Sequence, residues 1–388
     1  MAQDQSFLHT PQILDIMMQD CTVNLQLCQG KMLDRKTEVI KSKTGGAALI
    51  GKSLMTGFGT HLFAAPTRTP FETVRFGVIA DPHLDIRGKN GMKMSRDSLG
   101  CVQKTVQDLN QEQELAFVLV AGDLLLDGEW ENAEALKKEL DTLTMPYFVI
   151  AGNHDYIPQD PAKRREGFSY LSIEEFVEYF KGHGYDESGQ RFYARDIVPG
   201  LRLIGLDACL PLEKAKWGGV LPKEQLSWLD AELTKHADAL NLIVMHHNFL
   251  RWTADELPGG PKQWFCIDND QEARDLLAKH ANAAPVVLSG HRHIGLRRKE
   301  INGVNYFIMP SVNTHPMRYT VFSISNESVS WKTPMVDVSE SIHAEARKNL
   351  LDATWWRASQ FDERNALNDM KVLELYENND LTMGTMVL

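Results

Sequence analysis

From Thr73 onward, short apolar runs alternate with stretches in which apolar residues recur every three or four positions. The runs cover residues 74–80, 116–120, 147–150, 201–206, 242–245, 286–288, 304–309 and 319–324. They are short, bounded by polar or turn residues and rich in Val, Ile and aromatic side chains, so they predict β-strands. The stretches 95–109, 130–143, 173–180, 223–235 and 269–279 predict helices. Strands separated by helices predict α/β crossover units over at least the first half, and the closely spaced last runs predict antiparallel pairing.

Five of these runs stop at groups able to bind a metal. The first ends in Asp81-Pro82-His83, the second in Gly122-Asp123 and the third in Gly152-Asn153-His154-Asp155. The fifth ends in His246-His247-Asn248 and the sixth in Gly290-His291-Arg292-His293. Strands that share one direction would deliver these groups to one rim of a sheet, where α/β folds keep their chemistry. Each residue taken singly has a plainer reading. Asp81 and Asp123 serve as helix caps, His246 or His291 as core histidines with satisfied hydrogen bonds, and Asn153 as a turn former. Strand ends of one kind, repeated five times, weigh against it.

Composition narrows the chemistry. The chain has 388 residues, 43% of them hydrophobic, enough for one large domain with extensions or for two domains. A formal net charge of -11 provides no overall attraction to nucleic acid or to an anionic membrane surface, so an anionic substrate must be drawn by local cations. Cys21, Cys28, Cys101, Cys209 and Cys266 are scattered and odd in number, which argues against a disulfide framework or a cysteine zinc site. No uninterrupted apolar run reaches the roughly 20 residues of a membrane span.

Near the N-terminus, Met32-Leu33-Asp34-Arg35-Lys36-Thr37 precedes a Gly/Ala/Leu/Met/Phe-rich stretch and Ala64-Ala65-Pro66. This resembles an export signal of the twin-arginine type, beginning at Met32 and leaving a mature protein from near Thr67. Lys52 and His61 interrupt the apolar stretch, and a loose arm packed on the domain fits as well. The first reading places the protein in the periplasm and the second in the cytoplasm.

Aspartate oxygens, an asparagine amide and imidazoles, without thiolates, suit divalent iron, manganese or zinc. The donors are too many for one ion. If one carboxylate bridges, they form two sets, and two ions about 3.5 to 4 Å apart are the arrangement used on phosphate esters.

The series Asp81-x-His83, Gly122-Asp123, Gly152-Asn153-His154-Asp155, His246 and Gly290-His291-x-His293 resembles the five-block signature of calcineurin-like metallophosphoesterases. The resemblance implies an α/β (α+β) fold, a four-layer sandwich of two mixed β-sheets flanked by α-helices. It divides the chain into an N-terminal extension at 1–72, with the signal candidate within 32–66, a catalytic domain at 73–335 and a helical extension at 336–388. It also implies that Asp81, His83 and His293 hold one metal, that Asn153, His246 and His291 hold the other, and that Asp123 bridges. In the family's usual account a metal-bound hydroxide attacks phosphorus, the histidine at position 154 assists the leaving oxygen, and Asp155 orients that histidine.

The block Trp217-Gly218-Gly219-Val220-Leu221 with Gln225-Leu226-Ser227-Trp228-Leu229, and the later Pro310-Ser311, resemble the bacterial class III cyclic-nucleotide phosphodiesterase branch. His246-His247-Asn248 departs from the His-His-Pro common there. Arg87, Arg292, His247 and Arg318 are the candidate substrate contacts, and Trp252 and Trp264 are candidates to stack on a base or an aromatic leaving group. Beyond Val336 the charged segment with Trp355-Trp356 is expected to cover one sheet edge or to mediate a homodimer. The expected activity is hydrolysis of a small phosphate ester, either a diester or a monoester. A nuclease and a non-catalytic scaffold of the same fold are the alternatives, and the acidic balance weighs against a large nucleic-acid partner.

Overall fold

The computed structural model describes residues 67–210, 217–260, 262–353, 369–377 and 381–388. The expected export signal, Cys21, Cys28 and Trp355-Trp356 lie outside the described residues.

All the expected strands form, with ends shifted by at most a few residues. They are β1 (Val74–Ile79), β2 (Leu115–Ala121), β3 (Tyr147–Ile150), β5 (Leu201–Leu206), β6 (Leu240–Met245), β7 (Val286–Ser289), β9 (Val304–Ile308) and β10 (Thr320–Ile324). Four further strands, β4 (Tyr193–Val198), β8 (Arg297–Ile301), β11 (Ser328–Lys332) and β12 (Met383–Val387), carry no continuous apolar run. They lie at or next to sheet edges, where one face meets solvent. β8, for example, reads Arg-Arg-Lys-Glu-Ile.

Among the described residues these strands make two six-stranded sheets, ordered β12-β11-β10-β1-β2-β3 and β4-β5-β6-β7-β9-β8. In the first sheet β1, β2 and β3 run parallel, and in the second β5, β6, β7 and β9 do. The remaining pairs are antiparallel, so both sheets are mixed. Every residue of β5 and β6 is buried, as expected of parallel strands covered on both faces.

The main core lies between the sheets, where Phe76, Phe117 and Phe322 of one meet Leu203, Val244, Leu288 and Phe307 of the other. Phe76 stacks on Phe117 at 4.8 Å, and Phe307 meets Phe322 edge to face at 5.6 Å. Helices α1 (Ser98–Gln111) and α2 (Trp130–Leu140) join this core through Val102, Val106, Leu109, Leu136 and Leu140. Helix α3 (Ile173–Tyr179) starts at a capping box of Ser172 and Glu175. The outer face of the second sheet packs on α4 (Lys223–Lys235) and α5 (Asp270–Lys279). In α4 the buried Leu226, Leu229 and Leu233 recur at the spacing of one helical face. Each sheet therefore carries its own helical layer, giving four layers in all.

The segment 336–388, expected to be helical, is corrected in part. It holds α6 (Glu340–Asp352) and α7 (Asp369–Glu377), but also β12, which pairs antiparallel with β11 and extends the first sheet. An edge strand needs only one apolar face. Here Met386 is buried while Met383 and Val387 are exposed, so the pattern was too thin to read.

Candidate metal centre

The C-terminal ends of β1, β2 and β3 in one sheet and of β6 and β7 in the other bring the five motifs together. Asp81, His83, Asp123, Asn153, His246, His291 and His293 are all buried. Five of these seven have left-handed backbone: Asp81, His83, Asp123, His291 and His293 have φ between 38° and 70°. Such conformations cost on the order of 1–3 kcal/mol each outside glycine, and their concentration marks a functional site. Two glycines make the approach possible. A Cβ on Gly152 would overlap the backbone N and Oδ1 of Asp123, and one on Gly122, itself at φ +84°, would overlap the His246 ring.

Backbone donors aim the two carboxylates. His291 N–H donates to Asp81 Oδ1, and His154 N–H to Asp123 Oδ1, each at 2.9 Å. Asp123 Oδ2 is left between His83 Nε2 at 3.3 Å and His246 Nε2 at 3.2 Å. His293 Nε2 lies 3.2 Å from Asp81 Oδ1 and 2.9 Å from His83 Nε2, and His246 Nε2 lies 3.1 Å from His291 Nδ1. Two groups suited to a cation result, Asp81–His83–Asp123–His293 and Asp123–His246–His291, and they share Asp123.

The donor set fits metal ions. His246 Nδ1 faces the Ala121 carbonyl at 3.0 Å, and His291 Nε2 faces the Trp264 carbonyl at 3.0 Å, which assigns the protons to these outer nitrogens. The inner nitrogens then oppose lone pair to lone pair, so a proton or a cation must lie between them. A proton there would do nothing for Asp81 Oδ2 or for Asn153, whose amide oxygen and nitrogen are buried with no partner among the described residues. A pair of cations accounts for Asp81 Oδ2 and the Asn153 amide oxygen as well.

Electrostatics favour neutral imidazoles at three of the four histidines around the anionic Asp123, and a proton on the fourth. Burial pushes His83, His291 and His293 down. Burial also opposes a charge on His246, but Asp123 outweighs it and raises this imidazole to about 9. Seen from the other side, Asp123 stays well below the usual carboxylate range despite its burial, because His246, His154 and His83 surround it.

His154 stands beside the cluster. Its Nδ1 faces the Leu126 carbonyl at 2.5 Å and Asp127 Oδ1 at 3.0 Å. Asp155, expected to orient it, does something else. Its buried carboxylate accepts the N–H groups of Leu125 and Gly152, both at 2.8 Å, and so ties the loop after β2 to the loop after β3. Adjacent residues leaving a strand diverge, and the orienting carboxylate comes from the neighbouring loop.

Residues 74–295 match the calcineurin-like phosphoesterase family, which is more than half of the chain. The chain belongs to the calcineurin-like phosphoesterase family. A probable glycerophosphodiester phosphodiesterase of Arcobacter nitrofigilis is 28% identical over 172 residues, covering 44% of this chain and 55% of that protein. A probable cyclic nucleotide phosphodiesterase of Moraxella catarrhalis is 25% identical over 234 residues, covering 56% of this chain and 71% of that protein. The crystal structure of a dimetal phosphatase from Danio rerio has the same fold, with a TM-score of 0.51 at 18% identity, covering 68% of this chain and 96% of that one. This chain thus spans about half the length of the Arcobacter relative.

In this calcineurin-like phosphoesterase a cavity of about 370 Å³ opens over the cluster, lined by Met92, Lys93, Asp123, Asn153, His154, Trp217, Trp264, Phe265, His291 and His293. None of the four expected substrate contacts lines it. Arg87 is exposed and lies over Phe168, donating to the Gly167 carbonyl. Arg292 is fully buried, paired with Glu256 at 2.7 Å and stacked on Phe265 at 4.2 Å. His247 is buried, lowered to about 4 by burial and then by His246, with Nε2 at 2.9 Å from the Trp217 carbonyl. Arg318 donates to the Thr333 carbonyl. Of the two candidate stacking residues, Trp264 lines the cavity whereas Trp252 packs against apolar clusters away from it.

Asp127, Trp217 and Lys93 were missed as site residues. Asp127 lies four positions beyond Asp123, a spacing that could have flagged it. Lys93 sits in a polar loop with no local signal.

Proposed function

We propose that this chain is a metal-dependent hydrolase of small phosphate esters. The observation that carries the proposal is Asp123 Oδ2, held between His83 Nε2 and His246 Nε2 and common to both donor groups. Asp81, His83 and His293 would hold one divalent ion, Asn153, His246 and His291 the second, with Asp123 between them. Nitrogen and oxygen donors without thiolate favour iron, manganese or zinc. Bound there, such ions lower the pKa of water and neutralise phosphoryl oxygens.

The chain's own residues do the rest. Asp127 and the Leu126 carbonyl hold His154 at Nδ1 and leave Nε2 to pass a proton to the leaving oxygen. Trp217, Trp264 and Phe265 wall the cavity and limit water around the reacting phosphate. The cavity's size and the net charge of -11 support a small substrate over a nucleic-acid strand.

The test is metal analysis of the purified protein together with hydrolysis of nitrophenyl phosphate and bis(nitrophenyl) phosphate, with His154→Ala and Asp123→Asn as controls. Protein that takes up no divalent metal, or activity unaffected by either substitution, overturns the reading.

A further inference from the structure

Lys93 belongs to the loop between β1 and α1, yet it is held as firmly as a core position. Gly91 N–H donates to its carbonyl at 3.0 Å, and its backbone bridges to Thr314. The next residue, Met94, is fully buried, and its N–H donates to the Asn313 carbonyl at 2.9 Å. The same Thr314 places its hydroxyl 3.0 Å from His293 Nδ1. The segment that orients a proposed metal ligand thus also fixes the start of the Lys93 side chain.

That side chain reaches the reacting region. The ammonium lies 3.4 Å from His154 Nε2, the nitrogen left over after Nδ1 engages Asp127 and Leu126, and 3.0 Å from His83 Nδ1. His83 Nδ1 also faces the Leu125 carbonyl at 3.3 Å. One ring nitrogen cannot both donate to that carbonyl and accept from an ammonium. With the proton serving Leu125, the Lys93 ammonium is left beside His154 Nε2 at the wall of the cavity that both residues line. Among the described residues lining the cavity, Lys93 is the only Lys or Arg, in a protein whose net charge is -11.

We propose that Lys93 contacts the substrate, its ammonium donating to a phosphoryl oxygen on the side of the cavity where His154 meets the leaving group. The proposal rests on the phosphoester-hydrolase reading. A lysine bound to phosphate acts as a point charge, and a charge-assisted hydrogen bond of this kind is removed by Gln and largely retained by Arg.

The experiment uses metal-loaded protein. Affinity for inorganic phosphate is measured by calorimetry, metal content by elemental analysis, and kcat and KM on bis(nitrophenyl) phosphate, for the wild type, Lys93→Gln and Lys93→Arg. Lys93→Gln is expected to weaken phosphate binding and lower kcat/KM by about 10-fold or more, with metal content unchanged. Lys93→Arg is expected to recover both to within about 3-fold of wild type. Lys93→Gln with phosphate affinity within about 2-fold of wild type overturns the proposal. Loss of metal in step with affinity also overturns it, because Lys93 would then act by supporting His83. Failure of the wider reading is visible separately: a wild type that binds phosphate yet hydrolyses no ester leaves the Lys93 comparison intact and removes the hydrolase assignment.

Discussion

His154 Nδ1 sits 3.0 Å from Asp127 Oδ1, so the histidine after β3 is oriented by the loop after β2. Asp127 is partly exposed, and the Leu126 carbonyl shares the same nitrogen. Asp127→Ala therefore removes one of two orienting groups and is expected to lower kcat by about 10-fold, whereas His154→Ala is expected to lower it by about 100-fold or more. Metal content measured alongside should stay at the wild-type level in both. A His154→Ala protein that has lost its metal would show that His154 is a ligand.

Asp155→Asn separates structure from catalysis. The carboxylate accepts from Leu125 N–H and Gly152 N–H, and an amide keeps only one acceptor while turning a donor toward the other N–H. The expected cost is about 1–3 kcal/mol of stability, read as a lower urea midpoint. Turnover per folded molecule is expected to stay within a few-fold of wild type, a result the expected role as orienter of His154 would not give.

Chelation should destabilise the protein as well as inactivate it. Ions that bind only the folded state stabilise it by about 4 kcal/mol at a concentration 1,000 times Kd. Adding a chelator is expected to lower Tm, and restoring manganese or zinc to raise it again. Asp123→Asn removes the one carboxylate common to both donor groups, so its metal-to-protein ratio and its chelator-dependent Tm shift should both fall. An Asp123→Asn protein with undiminished metal would refute the bridging role.

His315 provides a pH effect away from the centre. Burial lowers its imidazole to about 4, with Glu377 at 3.5 Å only partly opposing this. Its unfolded pKa is about 6.5, so between these values the unfolded chain binds a proton that the folded chain refuses. Its effect is absent above the unfolded pKa, and stability falls as pH drops from there toward 4, by up to about 3 kcal/mol. His315→Gln should flatten that part of the stability curve in urea titrations at pH 4.5, 5.5 and 7.5, while an unchanged slope would show that His315 is charged when folded.

Much of the centre was legible because each proposed ligand follows an apolar run, and apolar runs can be read locally. Asp81, His83, Asp123, Asn153, His246, His291 and His293 needed only the assumption of shared strand direction, which β1 to β3 and β5 to β7 satisfy. Arg292 shows where motif reading stops. It lies between two clustered histidines in the chain, yet its side chain leaves the cavity to pair with Glu256 beneath Phe265. Strands β4, β8, β11 and β12, at or next to sheet edges, escaped for a different reason, since one solvated face removes the continuous apolar signal.

The sequence by itself determined which strands are buried, where they end and which donor types stand at those ends, because burial and chain direction are written in local patterns. Only the tertiary structure decided which side chains share a space. Asp127 rather than Asp155 meets His154, Lys93 folds back to the cavity from further along the loop that carries His83, and Asp123 Oδ2 falls between two histidines from different sheets. Those relations depend on how two sheets pack and how loops cross, which residues tens to hundreds of positions apart settle together.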